Sequence, residues 1–103
     1  MSVLLEFSMF PTDKGGSVSE YVSQVIDMIR KSGVDYKLTA MGTIVETETL
    51  EEALEIIQKS YQVLEPHSQR VYSSLKMDIR KGKTGRLEGK IQSVENKIGK
   101  VSR

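Results

Sequence analysis

The chain repeats one pattern twice: an alternating apolar segment, a segment of helical periodicity, and a second alternating segment, in halves of similar length. In residues 3–10, Val3, Leu5, Phe7 and Met9 fall on one face of a strand and Leu4, Glu6, Ser8 and Phe10 on the other. Pro11 ends that strand, and the turn-forming stretch Thr12 to Gly16 follows. Ser17 and Glu20 have the spacing of a capping box. Val18, Tyr21, Val22, Val25, Ile26 and Ile29 then make one apolar stripe. Arg30 and Lys31 suit the last turn of that helix, and Gly33 is placed to stop it. Residues 34–40 alternate as a second strand, Met41-Gly42 makes a tight connection, and Thr43 to Thr47 is a third strand.

The second half opens with another box, Thr49 and Glu52, and carries the stripe Leu50, Ala53, Leu54, Ile57, Tyr61 and Leu64 up to Pro66. Residues 70–80 form the longest strand. Its Val71, Leu75, Met77 and Ile79 alternate with Tyr72, Ser74, Lys76 and Asp78, and Ser73 is the polar exception on the apolar side. Each crossover is long enough to hold a helix, and right-handed crossovers place both helices on one side of one sheet. The prediction is a single domain over 1–103: an α+β, ferredoxin-like βαββαβ sandwich in 1–80, its antiparallel sheet carrying two helices on one face. The opposite face is left open.

Beyond a glycine-containing linker, Leu87, Ile91, Val94, Ile98 and Val101 are spaced four, three, four, three, which predicts a C-terminal helix over 86–101 with a narrow apolar seam. Gly89 and Gly99 weaken that helix, so it needs a surface to dock on. Its own domain and a neighbouring subunit both satisfy that need.

The open face gathers the candidate chemistry. The first and last strands lie side by side in this topology, so Glu6, Ser8, Ser74 and Lys76 come close together, with Tyr72 beside them. Glu46 joins them if the third strand turns Ile44 and Glu46 outward. On pattern alone a solvated face with weak ion pairs accounts for these residues. The sharper reading is the floor of a binding site, with carboxylates for a cation, hydroxyls for orientation and an aromatic ring for stacking. His67 is the lone histidine and follows Pro66 in a loop, so it makes a poor base or metal ligand. The segment Lys81-Gly82-Lys83-Thr84-Gly85 lacks phosphate-loop spacing and is a linker.

Composition closes off several function classes. With no cysteine, disulfides, thiolate metal sites and cysteine nucleophiles are excluded. A formal net charge of +1, from 15 basic and 14 acidic residues, gives no electrostatic reason to expect nucleic acid or an anionic membrane. The N-terminal residues do not form a signal peptide, and no segment approaches the roughly 20 apolar residues that span a bilayer. The expectation is a cytoplasmic protein that is not an enzyme and calls for no cofactor or metal.

The segments Glu6-Phe7-Ser8-Met9-Phe10-Pro11, Tyr36 to Thr43, Glu46, and Arg70 to Asp78 together resemble the small thiamine-binding protein family and the related hydroxymethylpyrimidine/thiamine-binding domains. The resemblance covers essentially the whole chain. It implies a ferredoxin-like fold, homo-oligomers in which dimers pair into tetramers, and non-catalytic binding of thiamine or its pyrimidine moiety. The matched segments and the polar face combine into the candidate ligand-binding set Glu6, Ser8, Thr43, Glu46, Tyr72, Ser74 and Lys76. Glu6 or Glu46 would compensate the thiazolium charge, Tyr72 would stack on a ring, and Ser8, Thr43 or Ser74 would meet the aminopyrimidine edge. Lys76 would neutralise a carboxylate in the empty protein or meet a phosphate on a phosphorylated ligand. The alternative is a structural or oligomeric interaction module without a small ligand.

Overall fold

The computed structural model describes residues 1–16 and 18–103. In chain order it has β1 (Ser2–Pro11), α1 (Ser19–Ser32), β2 (Asp35–Thr39), β3 (Gly42–Thr47), α2 (Leu50–Leu64), β4 (Val71–Arg80) and α3 (Arg86–Ile98), with a 3₁₀ turn at Glu65–His67. The four strands make one antiparallel sheet in the order β2-β3-β1-β4. That order is the ferredoxin-like α+β arrangement the repeated pattern predicts.

β1 holds the sheet together because it pairs on both edges. Its ladder with β4 runs unbroken from Ser2 opposite Arg80 to Pro11 opposite Val71. Its ladder with β3 is shorter and stops at Phe7 opposite Thr43. Val3, Leu5, Phe7 and Met9 point under the helices and are buried with Val25 and Ile29 of α1, Val45 of β3, and Ala53, Ile56 and Leu64 of α2.

Local signals explain where the helices begin and end. Gly33 adopts the left-handed conformation (φ 81°) that turns the chain out of α1. The expected cap at Ser17 lies outside the described residues; Val18 occupies the N-cap position and makes no side-chain cap. At α2 the Thr49 hydroxyl accepts the Glu52 backbone N–H at 3.1 Å and donates to the Glu52 carboxylate at 2.9 Å. Gly42 is required for a different reason. A Cβ there would lie 3.1 Å from the Phe7 carbonyl oxygen, because the β2–β3 hairpin tip presses against β1 at that point.

Three expectations need correction. The buried face of α2 is Ala53, Ile56, Ser60 and Leu64, whereas Leu50, Leu54 and Tyr61 are exposed. Small Ala53 and Ser60 bring the helix close to the sheet, and the Ser60 hydroxyl is satisfied by the Ile56 carbonyl at 2.7 Å. On β4, Leu75 and Ile79 face the helix side yet remain 46% and 49% exposed. The two helices cover β1 and β3 but only part of this edge strand, where Val71 and Met77 pack against the core. Finally, the opposite sheet face is only partly open, because α3 docks on one end of it. The helix stops at Ile98, where Gly99 sends its N–H back to the Glu95 carbonyl.

Leu5 has no exposed surface, so Leu5→Ala should lower the unfolding free energy by roughly 2–5 kcal/mol in a denaturant titration. Leu75→Ala, half-exposed on β4, should cost far less in the isolated subunit.

Candidate functional site

β1 outruns β3. Beyond Phe7, residues Ser8, Met9 and Phe10 keep β4 on one side but have no strand partner on the other. That edge borders a hollow of about 360 Å³. Val18, Val22, Val25 and Ile26 from α1 wall it on one side, and Leu38 to Thr43 of the β2–β3 hairpin wall it on the other. The hairpin tip is fixed by Thr39, whose hydroxyl donates to the Gly42 carbonyl at 2.8 Å and accepts the Met41 and Gly42 N–H groups at 3.3 and 3.2 Å. That turn leaves Met41 89% exposed at the rim.

A second, smaller hollow of about 170 Å³ opens on the other sheet face, bordered by Glu6, Ser8, Ser74, Lys76 and the same Met41. Here Ser8 pairs opposite Ser74 and Glu6 opposite Lys76. The Lys76 ammonium lies 3.2 Å from the Glu6 carboxylate. Both side chains of that pair keep contact with water, so it holds weakly and is free to exchange partners. Two residues further along, Phe10 and Tyr72 face each other with ring centroids 5.8 Å apart and planes tilted 42°. Phe7, Ser8 and Met41 border both hollows.

Of the seven candidate residues, the fold brings Glu6, Ser8, Tyr72, Ser74 and Lys76 onto one face. Thr43 does not join them. It alternates with Ile44 to the helix side, is nearly buried, and borders the apolar hollow instead. Glu46 does point to the open face, but at the far end of the sheet, opposite Leu4. There its carboxylate accepts the Ser2 hydroxyl at 2.6 Å and the backbone N–H groups of Arg86 and Leu87 at 3.0 Å each. α3 begins after Gly85, which has no side chain to cap it, so Glu46 caps it from across the sheet. Its lone pairs serve α3, and its place is at the far end of the sheet from Ser8.

Arg86 is outside the candidate set, yet it is the buried charge among the described residues, with 2% of its surface exposed. Its guanidinium donates to the carbonyls of Ser2 (2.7 Å) and Asp78 (2.6 Å) and to the Ser2 hydroxyl (3.1 Å), and it pairs with the Asp78 carboxylate at 2.8 Å. Lys90, one helical turn on, reaches the same carboxylate at 2.9 Å. The open question of where the C-terminal helix docks is thus answered for its first half: it latches onto its own sheet. Val94 and Ile98 further along remain 47% and 73% exposed.

Comparison with known proteins now adds the family. A model described as thiamine-binding protein matches residues 5–95. The chain belongs to the thiamine-binding protein family. A UPF0045 protein of Methanothermobacter thermautotrophicus is 37% identical over 83 residues, covering 80% of this chain and 84% of the relative. One from Methanocaldococcus jannaschii is 36% identical over 92 residues, covering 89% and 91%. The crystal structure of that Methanocaldococcus jannaschii protein superposes with a TM-score of 0.81, covering 90% of this chain and 95% of the other. A domain from Bacillus cereus, of unknown function and 26% identical, gives 0.78 over 90% and 89% of the two chains. No helix among the described residues is long and apolar enough to cross a membrane.

The latch titrates. Burial alone would raise the Glu46 carboxyl, but the Ser2 hydroxyl, the two α3 N–H groups and the Arg86 charge outweigh it and hold the group below its ordinary value. Lys90 chiefly, and then Arg86, hold Asp78 below its ordinary value against a smaller desolvation effect. A depressed carboxyl stabilises the docked helix above the ordinary carboxylate range and loses that contribution as pH falls through the folded value. Hydrogen exchange, corrected for intrinsic rates, should therefore show the α3 amides losing protection on acidification before those of β1 and β4. Glu46→Ala should produce the same loss at neutral pH, at a cost of roughly 1 kcal/mol as for other helix caps. Unchanged α3 protection in that variant would contradict the latch.

Proposed function

We propose that this protein is a non-catalytic binding protein for thiamine or its hydroxymethylpyrimidine moiety, working in the cytoplasm as a homo-oligomer in which dimers pair. Family membership supports the ligand class. The observation that carries the reading is a pair of unlike hollows that share Ser8 and Met41 as a border. One is apolar and bordered by an unpaired strand edge; the other is lined by a carboxylate and hydroxyls.

Each part has a use. A flat heterocycle suits the apolar hollow, where the strand edge at residues 8–10, unpaired by β3, offers donors and acceptors on alternate residues to an aminopyrimidine edge. Thr43 adds a hydroxyl from the helix side. A thiazolium carried into the second hollow needs a compensating charge, because an unpaired cation is costly to take out of water. Glu6 supplies it once Lys76 swings away, while Ser8 and Ser74 orient the ligand and Tyr72 flanks it. Lys76 thus serves as the occupant of the empty site, or as the partner of a phosphate on a phosphorylated ligand. Glu6 is the single carboxylate bordering the hollows and no histidine borders them, which favours holding a ligand over acid–base chemistry. Half-exposed Leu75 and Ile79 on β4 and Val94 and Ile98 on α3 favour assembly. The same residues support the alternative reading, an interaction module with no small ligand.

Thermal unfolding separates the two. Thiamine should raise the midpoint progressively, corresponding to about 2.7 kcal/mol of stabilisation at a hundredfold excess over Kd. Glu6→Gln should weaken binding roughly tenfold or more while leaving the unliganded fold intact. No shift with millimolar thiamine, hydroxymethylpyrimidine or thiamine phosphate would leave the interaction module as the surviving account.

A further inference from the structure

The charges on the open sheet face fall into two groups, and α3 accounts for one of them. Lys37 of β2 pairs with Glu88, and Asp78 of β4 pairs with Arg86 and Lys90. The Glu46 carboxylate takes the first N–H groups of the helix. Glu6 and Lys76 form the other group, and among the described residues each has only the other as an ionic partner. The register sets them directly opposite on β1 and β4, with Ser8 directly opposite Ser74 beside them. A carboxylate and a hydroxyl on one strand thus face an ammonium and a hydroxyl on the next, across the roughly 4.8 Å that separates paired strands. All four border the hollow of about 170 Å³.

This patch is electrically neutral, which limits what it holds well. Thiamine brings one permanent positive charge. For Glu6 to meet that charge, the Lys76 ammonium has to give up its partner, and it is then left beside a like charge. A ligand with an anion next to its cation removes both penalties. The geometry points to a thiamine phosphomonoester as the preferred ligand, its thiazolium against Glu6 on β1 and its phosphate against Lys76 on β4. The assignment rests on the thiamine-binding reading and narrows it to one form of the ligand.

The chemistry of that ester matches the patch. A two-carbon arm joins its thiazolium ring to the phosphate, so its two charges are neighbours as Glu6 and Lys76 are. The phosphate carries about −1.5 to −2 at neutral pH and has several acceptor oxygens, for Lys76 and for the serine hydroxyls. The Lys76 side chain is 80% exposed and can follow the phosphate without disturbing β4. A second phosphate adds little, because Lys76 is the one cation bordering the hollow among the described residues.

Equilibrium dialysis of the whole chain against thiamine, thiamine monophosphate and thiamine diphosphate tests this, with Lys76→Gln in parallel. The monophosphate should bind about tenfold more tightly than thiamine, and the diphosphate no more tightly than the monophosphate. Lys76→Gln should move the two ligands in opposite directions. The monophosphate should weaken about tenfold, whereas thiamine should tighten severalfold, because no ammonium then competes for Glu6. An unchanged unfolding midpoint without ligand shows that the variant is folded. Thiamine binding as tightly as the monophosphate, or Lys76→Gln weakening both alike, would overturn the phosphate assignment and leave thiamine binding standing. Retention of none of the three compounds would remove the binding reading, and this assignment with it.

Discussion

The constraint behind the whole arrangement is a mismatch in length along β1. That strand spans ten residues and finds β4 along all of them, but β3 meets it only from Val3 to Phe7. The β2–β3 hairpin turns back at Ala40 and Met41, held there by the Thr39 hydroxyl. Residues 8–10 of a central strand are therefore left without a strand partner on the edge next to α1. Buried backbone groups need partners. An edge of this kind, walled by valine and isoleucine, is suited to a planar ligand that carries its own donors and acceptors. The apolar hollow is thus a consequence of where a hairpin stops.

The far end of the same sheet face is closed by different means. α3 has little apolar burial and a glycine within it, so propensity and packing hold it only weakly. Charge supplies the rest: Glu46 takes the first N–H groups of the helix, and Arg86 sits between Ser2 and Asp78. Because those contacts are ionic and partly accessible, this end of the molecule responds to acid in a way the apolar core does not. The open face is thereby divided, with a structural latch at the Ser2 end and the smaller hollow at the Ser8 end.

Much of this was legible in the residues. Alternation and capping predicted each element, and the side-by-side placement of the first and last strands brought Glu6, Ser8, Ser74 and Lys76 together as expected. Thr43 and Glu46 lie apart from the other five for different reasons: Glu46 takes the outward face but the register sets it opposite Leu4, and in a short strand reading Thr-Ile-Val-Glu-Thr alternation does not say which face is buried. Only pairing with Phe7 and Val3 turns Thr43 and Thr47 inward. The buried stripe on α2 departs from the pattern of large side chains because small Ala53 and Ser60 lie in the contact while Leu50, Leu54 and Tyr61 stay exposed. Arg86 left a signal that went unused. A cation at the first position of a helix opposes the dipole, so an arginine there calls for a strong partner elsewhere. The apolar hollow had a signal as well, in a first strand longer than the third.

The central claim is that a ligand lies along the free edge of β1. Nitrogen–proton chemical shift mapping during a thiamine titration tests it most directly. The account predicts that the Ser8, Met9, Phe10, Met41 and Gly42 amides move together and saturate, while those of Asp35, Glu46 and Leu87 stay in place. Shifts confined to the Glu46 end of the sheet, or none at saturating thiamine, would contradict it.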